Sequence, residues 1–484
     1  MTALRPLGNY ERYSLARAHC SVPPTVAFTA LVPAPSPSHP TVDSKAVHAA
    51  VTTLLARYPL LRCAITDRTT TAPRYVLHAK TTAAQVVGSG PPGGEEDAAA
   101  ALLAAMEFGA KLVEGEGTSD AGFDLSNGPL WRVWLGASGD DGRRRLTLVV
   151  HHAISDGTST RNIMSELLAL LRTPVEEEED STTALPPTFE EGFDVRSDPG
   201  TLLAPTPSTE QPLLYLGTAL VPPRPQPSSL KLLSLSPSVV AGLKSAGKAN
   251  GVPTLHPTLY YAAVAAFLST FPTSPSGSTP PSFRIIGCTP YSFRDSSLGH
   301  PFSTGNYVAS HFQTDTFPDL SSSSFWTTCA SFARTLIDPA SKAAGLKVRG
   351  KLGLIPDEEV PATATTPART RWEEWVDEAV DKGQFGQTFE LSNLGVLPPT
   401  GWEGEGLEEV YWVQASSATN AAVNLSPVAI RGGALTFTCT YRKDAVPEET
   451  VSRFWRAFEG LLHKVAAGEV AEGATFEEVA GLLA

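Results

Sequence analysis

The chain has 484 residues, 42% of them apolar, and at ~100–200 residues per domain this length predicts two or three units with sizeable cores. Its 37 basic and 50 acidic residues leave a formal net charge of −13, which argues against a surface that binds nucleic acid. We expect no membrane span and no secretory signal, because apolar runs are short and residues 1–17 are mixed polar and charged. The five cysteines are odd in number and lack metal-ligand spacing, which predicts reduced thiols, no bound metal and a cytoplasmic location: Cys20, Cys63, Cys288, Cys329 and Cys439.

Strand and helix patterns alternate along the first part of the chain. Residues 26–32 are typical of a strand, residues 44–58 of a helix that stops before a proline, and residues 60–65 of another strand. A Gly/Pro-rich and then acidic stretch at 88–98 predicts an exposed loop. Residues 123–133 predict a turn that leads into a strand.

Residues 145–157 then join an apolar, β-branched strand to the polar sequence His-His-Ala-Ile-Ser-Asp-Gly. A helix is predicted over 162–172, where apolar residues recur at helical spacing, with Ser159 or Thr160 as its N-cap. A turn between strand and helix can hold a histidine on a rigid support that solvent and substrate can reach.

The spacing within this turn predicts proton-transfer chemistry. Successive strand residues face opposite sides, so His151 and His152 cannot both point into one site. Imidazole is suited to proton transfer near neutral pH. Asp156 could orient the base, or it could point away and anchor the turn through a basic partner, and Gly157 lets the backbone turn tightly. A buried strand that ends in an Asx-type turn is the purely structural alternative, but the full pattern favours a functional site.

The second part of the chain follows a connection that is rich in Pro, Ser and Thr, at 186–227. An acidic run at 176–180 predicts a solvated loop before it. The later patterns predict strands at 230–235, 283–289, 423–427 and 433–441, a strand that ends in a polar turn at 389–395, and helices at 258–270 and 448–465.

The His-His-x-x-x-Asp-Gly pattern resembles the motif of the CoA-dependent acyltransferase superfamily. That group includes chloramphenicol acetyltransferase, BAHD acyltransferases, condensation domains of peptide synthetases and fungal alcohol acetyltransferases. Three other stretches look like family sequences: Arg-Pro-Leu-Gly at 5–8, residues 284–308, and Ser-Asn-Leu-Gly at 392–395. The Asp-Phe-Gly-Trp-Gly sequence of plant BAHD enzymes is absent, so the chain looks closest to the fungal alcohol acetyltransferases.

The resemblance implies an α/β fold of two chloramphenicol-acetyltransferase-like lobes, each a mixed β-sheet with helices packed on it, and an active-site tunnel between them. It implies an N-terminal lobe at 1–185, a crossover linker at 186–228 and a C-terminal lobe at 229–484.

The resemblance also implies roles for individual residues. His152 is the expected catalytic base, and Arg294 is expected to pair with Asp156 in a structural ion pair beside Gly157. The hydroxyl and amide of Ser392 and Asn393 could face a developing oxyanion, although an ordinary strand-ending turn is the alternative.

The implied reaction is transfer of an acyl group, most simply acetyl, from acyl-CoA to the hydroxyl of an alcohol. Both substrates bind together, so neither an acyl-enzyme nor a permanent cofactor is needed, and CoA phosphates would meet scattered basic residues because the chain lacks a Gly-rich phosphate loop. The expected partners are the small-molecule acceptor and acyl-CoA, in a monomeric enzyme. The alternatives are an N-acylating or condensation-type enzyme and a non-catalytic binding protein of the same fold.

Overall fold

Two mixed sheets organise the chain in the computed structural model, which describes residues 2–78, 81–90, 97–113, 121–175, 184–196, 227–270, 282–294, 304–363, 367–381, 385–416 and 421–483. The predicted acidic loop at 176–180 and most of the predicted linker at 186–228 lie outside these ranges. The predicted boundaries of the lobes therefore stay a prediction.

The strands are, in chain order, β1 (Thr2–Pro6), β2 (Thr25–Val32), β3 (Cys63–Thr66), β4 (Arg74–Leu77), β5 (Val87–Gly88), β6 (Trp131–Ser138), β7 (Arg144–His151), β8 (Ser228–Leu235), β9 (Phe283–Ser292), β10 (Val308–Phe317), β11 (Glu359–Val360), β12 (Arg369–Thr370), β13 (Gln387–Leu391), β14 (Glu409–Gln414), β15 (Ala421–Ala429) and β16 (Leu435–Arg442).

The helices are α1 (Asn9–His19), α2 (Ser44–Arg57), α3 (Ala83–Val86), α4 (Ala98–Gly109), α5 (Gly157–Arg172), α6 (Phe189–Gly192), α7 (Pro237–Ala249), α8 (Leu255–Thr270), α9 (Phe325–Ile337), α10 (Pro339–Gly350), α11 (Arg371–Asp381), α12 (Glu448–Ala466) and α13 (Phe476–Gly481), with 3₁₀ turns at Pro59–Arg62 and Lys351–Leu354. No helix among the described residues is long and apolar enough to cross a membrane.

The first large sheet has the strand order β14-β2-β7-β6-β5, and the second has the order β10-β9-β13-β15-β16-β8. Each sheet combines parallel and antiparallel neighbours: β5 runs parallel to β6, and β13 runs parallel to both β9 and β15. Separate hydrophobic cores lie against the two sheets, and helices pack on both. The predicted α/β fold class with two lobes is confirmed.

The two lobes exchange elements. Strand β14 lies late in the chain but pairs with β2 in the first sheet, with Trp412 opposite Phe28. Helix α1 lies early in the chain, yet its Tyr13 and Ala16 pack in the second core. The Thr438 hydroxyl of β16 donates to the Trp412 carbonyl at 2.7 Å, which links the second sheet to β14. These contacts join the two lobes.

Two local predictions are wrong. Residues 59–62 form a 3₁₀ turn rather than the start of a strand. Helix α5 begins at Gly157 and not after Ser159 or Thr160, because the Asp156 carboxylate accepts a hydrogen bond from the Ser159 N–H at 2.8 Å and serves as the N-cap.

Candidate active site

His152 follows the last residue of β7, where its backbone N–H donates to the Pro24 carbonyl at 2.7 Å. Its side chain is 7% exposed and lines a cavity between the lobes. His151 faces the opposite way: it is fully buried, its ring lies edge-on to Phe123, and its Nδ1 accepts from the Ala153 N–H at 3.1 Å. Strand alternation therefore separates a core histidine from one that reaches the cavity.

Asn306, from the second lobe, determines the tautomer of His152. Its Nδ2 donates to the carbonyls of His152 and Ala153, each at 2.9 Å. Since the amide nitrogen is committed to two acceptors, Oδ1 faces the ring and accepts from His152 Nδ1 at 3.1 Å. His152 therefore carries its proton on Nδ1 and leaves Nε2 with a free lone pair.

The hydroxyl of Tyr10 lies 3.4 Å from His152 Nε2, and the two rings meet edge-on. Burial raises the pKa of Tyr10, so its hydroxyl keeps its proton and donates to the lone pair of Nε2. A contact of this length is weak. Another hydroxyl could replace it at Nε2.

Burial lowers the pKa of His152 to about 4, and the positive charge of Arg17 acts in the same direction, whereas Asp156 and the hydrogen bond to Asn306 favour the imidazolium. Burial also lowers the pKa of His151 to about 3. Both rings are neutral at neutral pH, so His152 can accept a proton there.

Asp156 points away from His152 and anchors the turn. Arg294 donates to both carboxylate oxygens, with Nη1 and Nη2 each 2.9 Å away. The backbone N–H groups of Ser159 and Tyr307 donate to the same carboxylate, each at 2.8 Å. Burial alone would raise the pKa of Asp156, but Arg294 and the two N–H groups outweigh it and hold the pKa below its ordinary value. Of the two alternatives left open by the sequence, the anchor is the one present.

The carbonyl of Gly305 joins this network to the second lobe. It accepts from the Asp156 N–H at 3.1 Å, the Ser159 hydroxyl at 2.8 Å and Arg294 Nη2 at 2.9 Å. Gly305 adopts a φ of +123°, and a Cβ there would lie 3.0 Å from the ring of Tyr307. Glycine is required at this position because a side chain would be strained and would contact that ring.

Two cavities meet beside His152. The smaller one, about 210 Å³, contains His152 in its wall, and the larger one, about 790 Å³, does not. The walls of both include Gly157, Ser392, Pro290 and Val308. The larger cavity also has Arg161 and Lys342 in its wall, among other polar residues. A passage thus runs between the lobes with His152 in its inner part.

Gly157 provides space rather than a tight turn. It is the first residue of α5, and a Cβ there would lie 3.1 Å from Leu394 Cδ2, where the two cavities meet. Ser392 lies in the walls of both cavities, whereas Asn393 lies only in that of the larger one. The Oδ1 of Asn393 accepts from the Gly395 N–H at 2.8 Å in a strand-ending turn. Of the two predicted oxyanion contacts, Ser392 is the better placed.

Sequence reasoning overlooked three residues at this site: Tyr10, Asn306 and Arg17. Asn306 lies within residues 284–308, which the sequence marks only by their resemblance to the family, and Tyr10 follows the Arg-Pro-Leu-Gly stretch at 5–8. Local sequence pattern does not indicate that α1 packs against the second lobe, which is what brings Tyr10 and Arg17 to the site. Among the described residues, no three His, Cys, Asp or Glu side chains cluster as metal ligands would.

Replacing Asn306 with alanine is expected to lower kcat by about 10²-fold in any reaction that uses His152 as a base, because the ring loses the acceptor that orients it. The loss of one amide also leaves the carbonyls of His152 and Ala153 without their donor, at a cost of about 1–3 kcal/mol in unfolding free energy. Steady-state kinetics and urea unfolding measure the two effects. A variant with unchanged kcat would show that Asn306 does not orient the base.

Comparison with known proteins identifies the fold. A family model described as the condensation domain matches residues 32–191, about a third of the 484 residues. No curated protein sequence matches the chain.

Solved structures are similar over almost the whole length. The epimerization domain from the third module of tyrocidine synthetase B is 11% identical, with a TM-score of 0.62, and the match covers 98% of each chain. A trichothecene 15-O-acetyltransferase from Fusarium sporotrichioides is 14% identical, with a TM-score of 0.64, over 96% of this chain and 94% of that one. The starter condensation domain of rhizomide synthetase, in complex with C8-CoA, is 13% identical, with a TM-score of 0.59, over 98% and 97%. The chain therefore has the two-lobed fold of condensation domains and related acyltransferases, and residues 32–191 match the condensation-domain family.

Proposed function

We propose that the protein is an acyltransferase that moves an acyl group, most simply acetyl, from acyl-CoA to the hydroxyl of a small acceptor. One observation carries the proposal: His152 presents an unprotonated Nε2 to a passage between the lobes, and Asn306 holds its proton on the opposite nitrogen. That arrangement suits a general base.

The two cavities suggest where the two substrates bind. The larger one has room for the pantetheine arm of acyl-CoA, and Arg161 and Lys342 in its wall could meet phosphates. The rhizomide starter condensation domain, which has this fold, was solved with an acyl-CoA bound. The smaller cavity then receives the acceptor.

The proposed reaction has two steps. The acceptor hydroxyl displaces Tyr10 at His152 Nε2, gives its proton to that nitrogen and forms a C–O bond to the thioester carbonyl. The oxyanion that results then collapses, the C–S bond breaks, and the CoA thiolate leaves and takes up the proton. Ser392, in the walls of both cavities, is the side chain proposed to donate to the oxyanion.

The test is release of free CoA thiol from acetyl-CoA by the purified protein, measured with a panel of alcohols and amines. Release that depends on an alcohol, with an ester as product, supports O-acylation. Release only with amines would assign the condensation-type alternative. No release with any acceptor, while CoA binds in calorimetry, would leave the non-catalytic binding protein of this fold.

The pH dependence of kcat/KM is expected to show an acid limb with an apparent pKa of about 4, instead of the ~6.5 of an unperturbed histidine, because burial disfavours the imidazolium of His152. The rate therefore rises as pH increases through this value and is level near neutrality. A limb near 6.5 in a pH–rate profile with a small neutral alcohol would contradict this environment for the base.

The same depressed pKa values affect stability. His151 and His152 bind a proton more readily in the unfolded chain than in the folded protein. Their contribution to the free energy of unfolding is therefore fully present above pH ~6.5. It is lost as the pH falls from there towards about 4 for His152 and about 3 for His151. Circular dichroism at each pH therefore accompanies the rate profile and separates unfolding from titration of the base.

A further inference from the structure

The smaller cavity, which we call the acceptor chamber, is defined by His152 and the residues that share its wall. Four of these carry charge: Arg17, Arg349, Glu390 and Asp156, the last of which is paired with Arg294. The polar side chains of Tyr10, Ser310, Gln387 and Gln414 complete much of the remaining wall. At about 210 Å³ the chamber is smaller than the ~300–1,000 Å³ typical of pockets for drug-sized ligands. A small, polar acceptor fits this lining.

Arg17 is a buried cation that forms no ion pair with a carboxylate of the described residues. It is 4% exposed, its Nη2 donates to the Pro23 carbonyl at 2.7 Å, and its Nε has no hydrogen-bond partner. No ion pair between described residues includes Arg17 or Arg349. A buried charge without a counter-charge is costly in free energy, and a ligand anion would offset that cost.

The second guanidinium is held in place by its surroundings. Arg349 donates from Nε to the Val308 carbonyl at 2.8 Å, and its guanidinium carbon lies 3.6 Å from the centre of the Tyr10 ring. The charges of both arginines act on Tyr10 and on Glu390. The four side chains line the same cavity as His152, and Tyr10 among them contacts its Nε2.

Glu390 does not cancel the two positive charges. It lies in β13, opposite Cys288 of β9, and hydrogen-bonds to Gln414. Burial raises its pKa above the ordinary value for a glutamate. The charge of Asp156, the other carboxylate in this wall, is balanced by Arg294. Two guanidinium groups then face one carboxylate, Glu390, whose charge burial disfavours, so the acceptor chamber is positive.

We propose that the acceptor is a small hydroxy acid, whose carboxylate binds Arg17 in the acceptor chamber while its hydroxyl reaches His152 Nε2. The inference rests on the proposed function, because it names the class of molecule that this site would acylate. Arg349 contributes to the same positive environment.

The arrangement also couples binding to basicity. The charge of Arg17 is the strongest charge effect that disfavours the imidazolium of His152. A carboxylate bound at Arg17 offsets that charge, so His152 becomes a stronger base when a carboxylate-bearing acceptor is present. A neutral alcohol of the same shape leaves the base in its weakened state.

The experiment compares matched acceptors that differ only in the carboxylate: glycolate with ethylene glycol, lactate with propane-1,2-diol, and 3-hydroxybutyrate with butane-1,3-diol. Acetyl-CoA is the donor, and CoA thiol release gives kcat/KM. We expect at least one acid to exceed its diol by about tenfold or more, as for a charge-assisted hydrogen bond. In Arg17→Gln the acid-to-diol ratio is expected to fall towards one, and in Arg17→Lys it should be partly restored.

Arg431→Gln is the control, since Arg431 is exposed between β15 and β16 and should leave the ratio unchanged. Equal kcat/KM values for acids and diols, or a ratio that Arg17→Gln does not alter, would overturn the proposal. If Arg17→Gln fails to fold, calorimetry of the unaltered protein decides: binding of the three acids without binding of their diols supports the carboxylate site, and the reverse overturns it.

Calorimetry without acyl-CoA also separates this inference from the proposed function. Acids that bind in calorimetry but are never acylated, in a protein that acylates nothing, would overturn the function and leave the carboxylate site standing. If the diols are acylated with the same kcat/KM as the acids and the acids show no detectable binding, the carboxylate site is overturned and the function stands.

Discussion

His152→Ala is expected to lower kcat/KM for acyl transfer by about 10²–10⁴-fold, the usual contribution of a general base. Within the motif, His152 Nε2 is the unprotonated nitrogen that reaches the acceptor chamber, and this variant removes it. Acyl-CoA should still bind, because the larger cavity does not include this side chain in its wall. Thiol release in steady state, with calorimetry of CoA binding, measures both effects.

His151→Gln is the matched control for that variant. The neighbouring imidazole is fully buried against Phe123 and belongs to the first lobe's interior rather than to the passage. Its replacement is expected to lower the melting temperature but to keep most of the activity per folded molecule. Turnover that survives His152→Ala, or that disappears equally in both variants, would remove His152 from the role of base.

Arg294→Ala is expected to lower the free energy of unfolding by about 3–5 kcal/mol, because it leaves the Asp156 carboxylate buried without its counter-charge. The Arg294 side chain is 5% exposed and that of Asp156 is 2% exposed, so water cannot replace the lost partner easily. The acyl-transfer activity should fall together with the stability, since Asp156 positions the turn that carries His152. Urea unfolding, followed by circular dichroism, measures the change.

An exposed ion pair provides the comparison. Lys464 and Glu469 lie 3.2 Å apart with side chains 35% and 52% exposed, so Lys464→Ala should change the unfolding free energy by less than about 1 kcal/mol. A double-mutant cycle of Arg294→Met with Asp156→Asn isolates the coupling of the buried pair. If Arg294→Ala is as mild as Lys464→Ala, the pair does not hold the turn.

Much of the local structure around the motif could be predicted from the chain alone. The apolar run of β7 and the helical spacing of Ile163, Leu167 and Leu171 indicated a strand, a turn and a helix, which are present as Arg144–His151 and Gly157–Arg172. Side-chain periodicity decides such elements, because it depends only on neighbouring residues. Alternation along the strand likewise predicted that His151 and His152 face apart.

The N-cap shows where local reasoning ended. Ser159 and Thr160 are good cap residues, but Asp156 caps α5. Arg294 binds the Asp156 carboxylate, which also accepts the Ser159 N–H at the start of the helix. Local propensity could not weigh a partner that lies 138 positions away.

The amino-acid sequence determined that a strand ends in two histidines followed by a polar turn. It also determined which helices and strands could pack against that strand. Only tertiary structure decided the environment of the imidazole: Asn306 from the second lobe, Tyr10 and Arg17 from a helix that crosses between the lobes, and the cavity between β7 and β13. The physical reason is that tautomer, pKa and access depend on groups brought together by burial of two separate cores, and sequence spacing contains no record of those distances.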